Sequence, residues 1–257
     1  MKQFILPNPP DHTGMIRLSG KDFHYLAHVR RIKPGAVFPG RLPTGETVQL
    51  RVRSVEADCI IAICTPPPAS SSPPAGQVPI FLFQGMPKPP KMDLIVRQAA
   101  ELGIAEIVPF ICEYSPVKTE RESERWNRII REARQQSGSP VETVIAPPCA
   151  LDALLARWHE IAGRYSNALG LLLHQVPLEP AGSGFHGCLA GNPGAVAEAV
   201  GPEGGFSPGE TSRFLAAGFK ALTAGTTILR TETAAMAAAA TVRIILLERE
   251  LWTLKIP

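Results

Sequence analysis

The pattern of apolar and polar positions changes character once along this chain. Val48, Leu50 and Val52 alternate with Gln49, Arg51 and Arg53, the period of a strand with one buried face. A turn at Glu56-Ala57-Asp58 then leads into the apolar run 59–63, which predicts a hairpin. One short helix is predicted over 21–31, where Phe23, Leu26 and Ala27 share a face. Later in the chain the strands lose their alternation. The wholly apolar runs 80–83, 107–111 and 169–173 read as strands buried on both faces. Between and after them lie helical periods at 92–102, stopped by Gly103, at 123–136, at 151–161 and at the alanine-rich 231–250. The first part therefore predicts a small β-barrel of roughly 70 residues. The second predicts an α/β domain with a mostly parallel sheet. Segment 65–76, rich in Pro and Ser, predicts a stiff linker between a domain over 1–72 and a domain over 73–257.

Composition narrows the class without naming a partner. The chain has 257 residues, 45% hydrophobic and 19% charged, which excludes a disordered protein and leaves room for two cores. A net charge of +3 is compatible with a polyanionic partner and too small to require one. The five cysteines contain no C-x-x-C pair. The first seven residues carry no signal-peptide core, and no apolar run approaches the ~20 residues of a membrane span. Reduced cysteines, no membrane partner and a cytoplasmic location are the resulting expectations.

Two segments carry candidate chemistry. Residues 199–210, Ala-Val-Gly-Pro-Glu-Gly-Gly-Phe-Ser-Pro-Gly-Glu, pass from an apolar strand end through a glycine turn into a helix start. Ser207 is a natural N-cap, Pro208 suits the first helical position, and Glu210 completes a capping box. A strand, a glycine turn and a helix N-terminus together expose backbone amides to a small polar ligand. The second segment, 226–235, runs Thr-Thr-Ile-Leu-Arg-Thr-Glu-Thr-Ala-Ala: an apolar strand end is predicted to deliver Arg230 to a helix capped by Thr231 or Thr233. Simple capping beside a solvated Arg explains that segment equally well. His174, at the carboxyl end of run 169–173, either lines a ligand site or is a structural histidine.

Other patterns carry less. Residues 182–187 match G-x-G-x-x-G but lack a strand before and a helix after, so a loop is predicted there instead of a dinucleotide site. His24 and His28 lie one helical turn apart without further ligands, and no metal is expected. On the 123–136 helix Trp126, Ile129, Ile130 and Ala133 share one face, while Arg121, Arg125 and Arg128 cluster opposite. That cluster, with Arg30 and Arg31, forms either an RNA-binding surface or a solvated face paired with Glu124 and Glu132.

Taken together, 201–207 and 228–234 resemble the RsmE family of ribosomal RNA methyltransferases in the SPOUT superfamily. Segments 24–30, 99–104 and 124–138 resemble that family as well, so the likeness covers nearly the whole chain. The resemblance implies a PUA-like β-barrel followed by a trefoil-knotted α/β domain that dimerises. It implies S-adenosyl-L-methionine as the methyl donor and N3 of a uridine in 16S ribosomal RNA, within a small-subunit particle, as the acceptor. By the same resemblance Leu173, His174, Gly201, Glu203, Gly204, Leu229, Arg230, Thr231, Thr233 and Ala234 surround the donor. Arg230 is the candidate for stabilising a uracil anion, and Glu232 or Glu203 for taking its proton. Ser139 and Thr227 stand where the family carries Arg. Those losses of positive charge keep a second reading open, a non-catalytic RNA-binding assembly factor, alongside a SPOUT enzyme acting on another RNA.

Overall fold

In the computed structural model, residues 3–66, 77–118, 124–175 and 184–252 are described, with side chains to 248. The core of the linker, 67–76, lies outside them, as do Arg121 and the first two residues of the 182–187 motif. The chain divides into two units, 1–75 with 134–140, and 76–133 with 141–257.

In the first unit the alternating segment becomes β4 (Thr47–Val55), which pairs antiparallel with β5 (Cys59–Thr65) as a hairpin. With β1 (Phe4–Ile5), β2 (Met15–Ser19) and β3 (Val37–Arg41) they form a five-stranded sheet in the order β1-β3-β4-β5-β2. Its core is Phe4, Leu18, Leu26, Leu50, Val52 and Ile60 with their neighbours. The predicted helix is α1 (Gly20–Phe23), which widens into a π-helical turn at His24–Val29. The cause is visible at its end, where the Arg30 N–H donates five residues back to the Tyr25 carbonyl at 2.9 Å. Segment 134–140 belongs to this unit because the Gln3 amide donates to the Arg134 and Ser139 carbonyls at 3.0 and 2.9 Å.

The second unit is built on a parallel sheet in the order β12-β10-β11-β6-β7-β8, with β9 also on β7. The strands are β6 (Ile80–Gly85), β7 (Glu106–Ile111), β8 (Val144–Ile145), β9 (Cys149–Ala150), β10 (Leu169–Leu173), β11 (Val196–Val200) and β12 (Lys220–Leu222). Ile80 and Leu82 pack on one face of the sheet, Phe81 and Phe83 on the other, which is why this strand reads as an unbroken apolar run. The first face is covered by α2 (Pro89–Leu102), α3 (Glu124–Ser137), α5 (Phe185–Leu189) and α7 (Thr231–Trp252). The second is covered by α4 (Leu151–Arg164) and α6 (Pro208–Ala216). Gly103 ends α2 with φ 72°, a left-handed conformation that glycine adopts without steric cost. Among the described residues no helix is long and apolar enough to cross a membrane.

Two sequence expectations are corrected. The strand end predicted at 226–229 is irregular chain, because β12 is already complete at Leu222 and residues 223–230 leave the sheet. The β-branched run misled there: Ile228 is 70% exposed, not buried between strands. Part of the predicted 182–187 loop is helical, since Gly184 precedes α5, which buries Cys188 and Leu189 in the core.

Glu198 is the outlier in this core. It sits at the centre of β11, in register with Leu171 and Leu82, fully buried, and neither carboxyl oxygen has a hydrogen-bond partner. Burial pushes its carboxyl up to about 8, against an opposing pull from Arg243. The folded state therefore keeps a proton that the unfolded chain releases near 4.5, and stability falls as pH rises from 4.5 through about 8. The slope is about 1.4 kcal/mol per pH unit in that window. Glu198→Leu should flatten this part of the pH–stability curve, read by urea denaturation between pH 5 and pH 9.

Candidate functional site

The site forms beyond the carboxyl ends of β10, β11 and β12. After β11 the chain turns through 201–205, with Gly205 at φ 71°, and enters α6. The predicted capping box is present: the Glu210 N–H donates to the Ser207 hydroxyl at 3.3 Å and the Ser207 N–H to the Glu210 carboxylate at 2.9 Å. The other Glu210 oxygen accepts from the Glu113 N–H at 2.7 Å, which ties the loop after β7 to the same helix start. Glycine is required twice here by space. A Cβ on Gly204 would lie 2.7 Å from the Tyr114 Cβ, and one on Gly85 2.7 Å from both Cys112 and Pro202.

Thr231 joins the two chemical segments. Its hydroxyl donates to the Gly201 carbonyl at 2.5 Å and accepts from the Gln84 amide at 3.0 Å, all three groups being buried. The sequence suggested a local cap for this hydroxyl; the structure uses it across the sheet. The start of α7 is thereby held against the ends of β6 and β11.

Between the joined segments lies a cavity of about 280 Å³. Leu173, Val200, Phe206, Ile228 and Leu229 give it apolar walls, and Lys91, His174, Glu203, Thr227 and Arg230 add polar groups. Gly201, Gly204, Thr231 and Ala234 line it too, so nine of the ten residues expected around a donor meet at one place. Thr233 is exposed on α7 and is not among the lining residues. The position, beyond the carboxyl ends of parallel strands, is where open α/β sheets hold ligands.

Charge at the cavity is arranged around Lys91, in the first turn of α2. Its ammonium lies 3.3 Å from a carboxylate oxygen of Glu203 and 3.3 Å from one of Glu232. Burial works to raise the Glu203 carboxyl, but its own N–H, the Lys88 N–H and the Lys91 ammonium outweigh it and hold that group below its ordinary value. Glu232 itself does not line the cavity and reaches it through Lys91. Arg230 is an exposed residue that lines the cavity.

The other candidates divide. Arg30 and Arg31 are exposed on the first unit. Arg125 pairs with Asp93 at 2.9 Å and Arg128 with Glu132 at 3.8 Å, so those two lie on a solvated, ion-paired face. His24 and His28 rings stand 5.2 Å apart and are exposed. Among the described residues, the only group of three with metal-ligand reach is Glu56, Asp58 and Cys59, next to the exposed hairpin turn.

Sequence reading missed Lys91 and Gln84. Both had a signal. Gln84 is the one polar residue in the apolar run of β6, and Lys91 follows closely on the carboxyl end of that strand.

The fold and cavity define a ligand-binding α/β domain whose site is shared by a glycine turn and the start of a late helix. The family model for an RNA methyltransferase domain matches residues 74–243. The chain belongs to that RNA methyltransferase family. It is 26% identical over 256 residues to ribosomal RNA small subunit methyltransferase E of Mycobacterium bovis, covering 94% of this chain and 91% of that one. The protein of the same name from Aquifex aeolicus is 36% identical over 146 residues, 56% of this chain and 58% of that one. Among solved structures, ribosomal RNA small subunit methyltransferase E from Neisseria gonorrhoeae, bound to S-adenosyl methionine, matches with a TM-score of 0.80 at 26% identity, over 95% of this chain and 98% of that one.

Thr231→Val keeps the shape of the side chain and removes both hydrogen bonds, leaving the buried Gly201 carbonyl and Gln84 amide short of a partner. A loss of about 1–3 kcal/mol in unfolding free energy is expected by urea denaturation, with Thr231→Ser close to wild type.

Proposed function

We propose that this chain transfers a methyl group from S-adenosyl-L-methionine to N3 of a uridine in 16S ribosomal RNA, acting in the cytoplasm on a small-subunit particle. The observation that carries this reading is the single cavity enclosed by the 201–205 turn and the 223–231 segment, pinned together through Thr231. The relatives named as small-subunit methyltransferases support the RNA, and the neighbour bound to S-adenosyl methionine supports the donor.

The residues present fit that donor. The cavity, about 280 Å³, is near the lower end of the range for small-ligand pockets. Its apolar wall from Leu173, Val200 and Leu229 suits an adenine ring, and the small residues of 201–205 let polar groups approach the backbone. When bound, S-adenosyl-L-methionine supplies a methyl group already made electrophilic by its sulfonium. The protein therefore has mainly to align the acceptor nitrogen. Uridine N3 carries a proton and becomes nucleophilic only when that proton leaves. Arg230, at the wall, is assigned the uracil oxygen on which negative charge develops. Glu232, which reaches the cavity through Lys91, is assigned the proton; Glu203, whose carboxylate also accepts from two backbone N–H groups, is less suited to take it.

The finer architecture follows the same reading. Domain 73–257 is taken as trefoil-knotted: β12 lies at the sheet edge beyond β10, yet α7 starts at β11 and β6, so segment 223–230 crosses back over the strand ends. The sheet of domain 1–72 is taken as a PUA-like barrel presenting Arg30 and Arg31 to RNA. Arg121, Arg125 and Arg128 are the corresponding candidates on the second domain. A homodimer is assigned to the face of α2 and α7, where Leu94 and Ile244 are exposed and the small side chains of Ala237 and Ala240 permit close approach.

Arg230→Ala should lower the methyl-transfer rate on unmethylated small subunits by at least a hundredfold, read by incorporation of labelled methyl. The melting temperature should stay close to wild type. Undiminished transfer by this variant removes Arg230 from the mechanism. A wild-type chain that binds no donor favours the assembly-factor reading.

A further inference from the structure

Eight large hydrophobic side chains are exposed among the described residues; one of them lines the cavity and a second lies against a residue that lines it. Ile228, 70% exposed, lines it directly. Tyr114, 46% exposed, lies against Gly204, itself a lining residue, at a distance that leaves no room for a Cβ. A single exposed apolar side chain calls for no explanation, but an aromatic and a branched aliphatic side chain at one polar cavity do.

The loop that carries Tyr114 is fastened. The Cys112 N–H donates to the Ser115 hydroxyl at 3.0 Å, and the Ser115 N–H returns to the Cys112 carbonyl at 3.1 Å. The Glu113 N–H is held by Glu210, and the Lys118 ammonium donates to the Cys112 and Glu113 carbonyls at 2.7 and 2.5 Å. Ser115 is buried while Tyr114 beside it is left in water. Five hydrogen bonds thus hold a turn that carries an exposed aromatic ring, so little ordering remains to be done when a partner arrives.

We propose that Tyr114 and Ile228 form a nucleobase subsite at the mouth of the cavity, where a pyrimidine taken out of its stack rests on the tyrosine ring with its other edge against the isoleucine. An unstacked base needs a replacement surface for the face it uncovers, and an aromatic side chain supplies it without regard to sequence. The Lys118 ammonium, bound to the loop's carbonyls, adds positive charge on the same loop, where the nucleotide's phosphate approaches. This subsite rests on the methyltransferase reading, since it positions the acceptor base beside the donor.

The test compares Tyr114→Ala, Tyr114→Leu, Tyr114→Phe and Ile228→Ala with wild type on unmethylated small subunits. Tyr114→Ala and Tyr114→Leu should each raise the KM for the subunit about tenfold, as loss of one stacked base implies. Tyr114→Phe should stay within about twofold of wild type, because the ring is what stacks. Ile228→Ala should show a smaller rise. Donor affinity by calorimetry should be unchanged in the three Tyr114 variants. A second readout needs no turnover: the emission of Tyr114→Trp should be quenched by a short uridine-containing RNA in the presence of donor, and not by the same RNA with an abasic site. The proposal is overturned if Tyr114→Ala keeps the wild-type KM, if Tyr114→Leu performs as well as Tyr114→Phe, if the loss appears in donor affinity instead, or if the tryptophan is not quenched. Wild-type protein that transfers no methyl group refutes the functional reading separately, and the quenching arm still decides whether a base stacks here.

Discussion

Thr231 is the point at which the ends of β6 and β11 and the start of α7, far apart in sequence, become one structure. A buried hydrogen bond contributes modestly to stability when made and costs much more when half of it is missing. Three polar groups closed on each other in a dry place therefore act as a register. Either the late segment lies across the strand ends in this position, or a buried amide and a carbonyl are left unsatisfied. The cavity is a by-product of that constraint, because the chain between β12 and α7 has to arch over the space that the glycine turn leaves.

The charges around the cavity depend on the same arrangement. Lys91 is fixed to α2, Glu203 to the glycine turn and Glu232 to α7, so their ion pairs exist only when all three elements have met. Partly buried pairs of this kind are worth little as stability and more as positioning. Arg230, exposed at the cavity, stands outside this lysine-centred network. The chemistry required of the protein is correspondingly small. A sulfonium donor brings its own reactivity, and the walls need only orient an acceptor, spread its developing charge and receive a proton.

Much of this was legible from residue order, for reasons that can be stated. Strands buried on both faces show as unbroken apolar runs, and β6, β7 and β10 were visible in that way. Helix ends were marked by Gly103 and by the Ser207–Glu210 box, which are local devices using local residues. What local pattern could not carry was any interaction whose meaning lies elsewhere in the chain. Thr231 looked like a cap and is a bridge. Segment 226–229 had the side chains of a strand, but no neighbouring strand is there to pair with it. Glu198 gives no warning in sequence that it lies at the centre of a parallel sheet. The cavity residues were gathered by family likeness, and the structure then brought nine of those ten together around one space.

Methyl transfer to a uridine of the small-subunit RNA is the role proposed for this space. The most direct measurement is nucleoside mass spectrometry of 16S ribosomal RNA from cells with and without this protein. 3-Methyluridine should disappear from the RNA when the protein is absent and return when it is restored. An unchanged set of methylated uridines would contradict it.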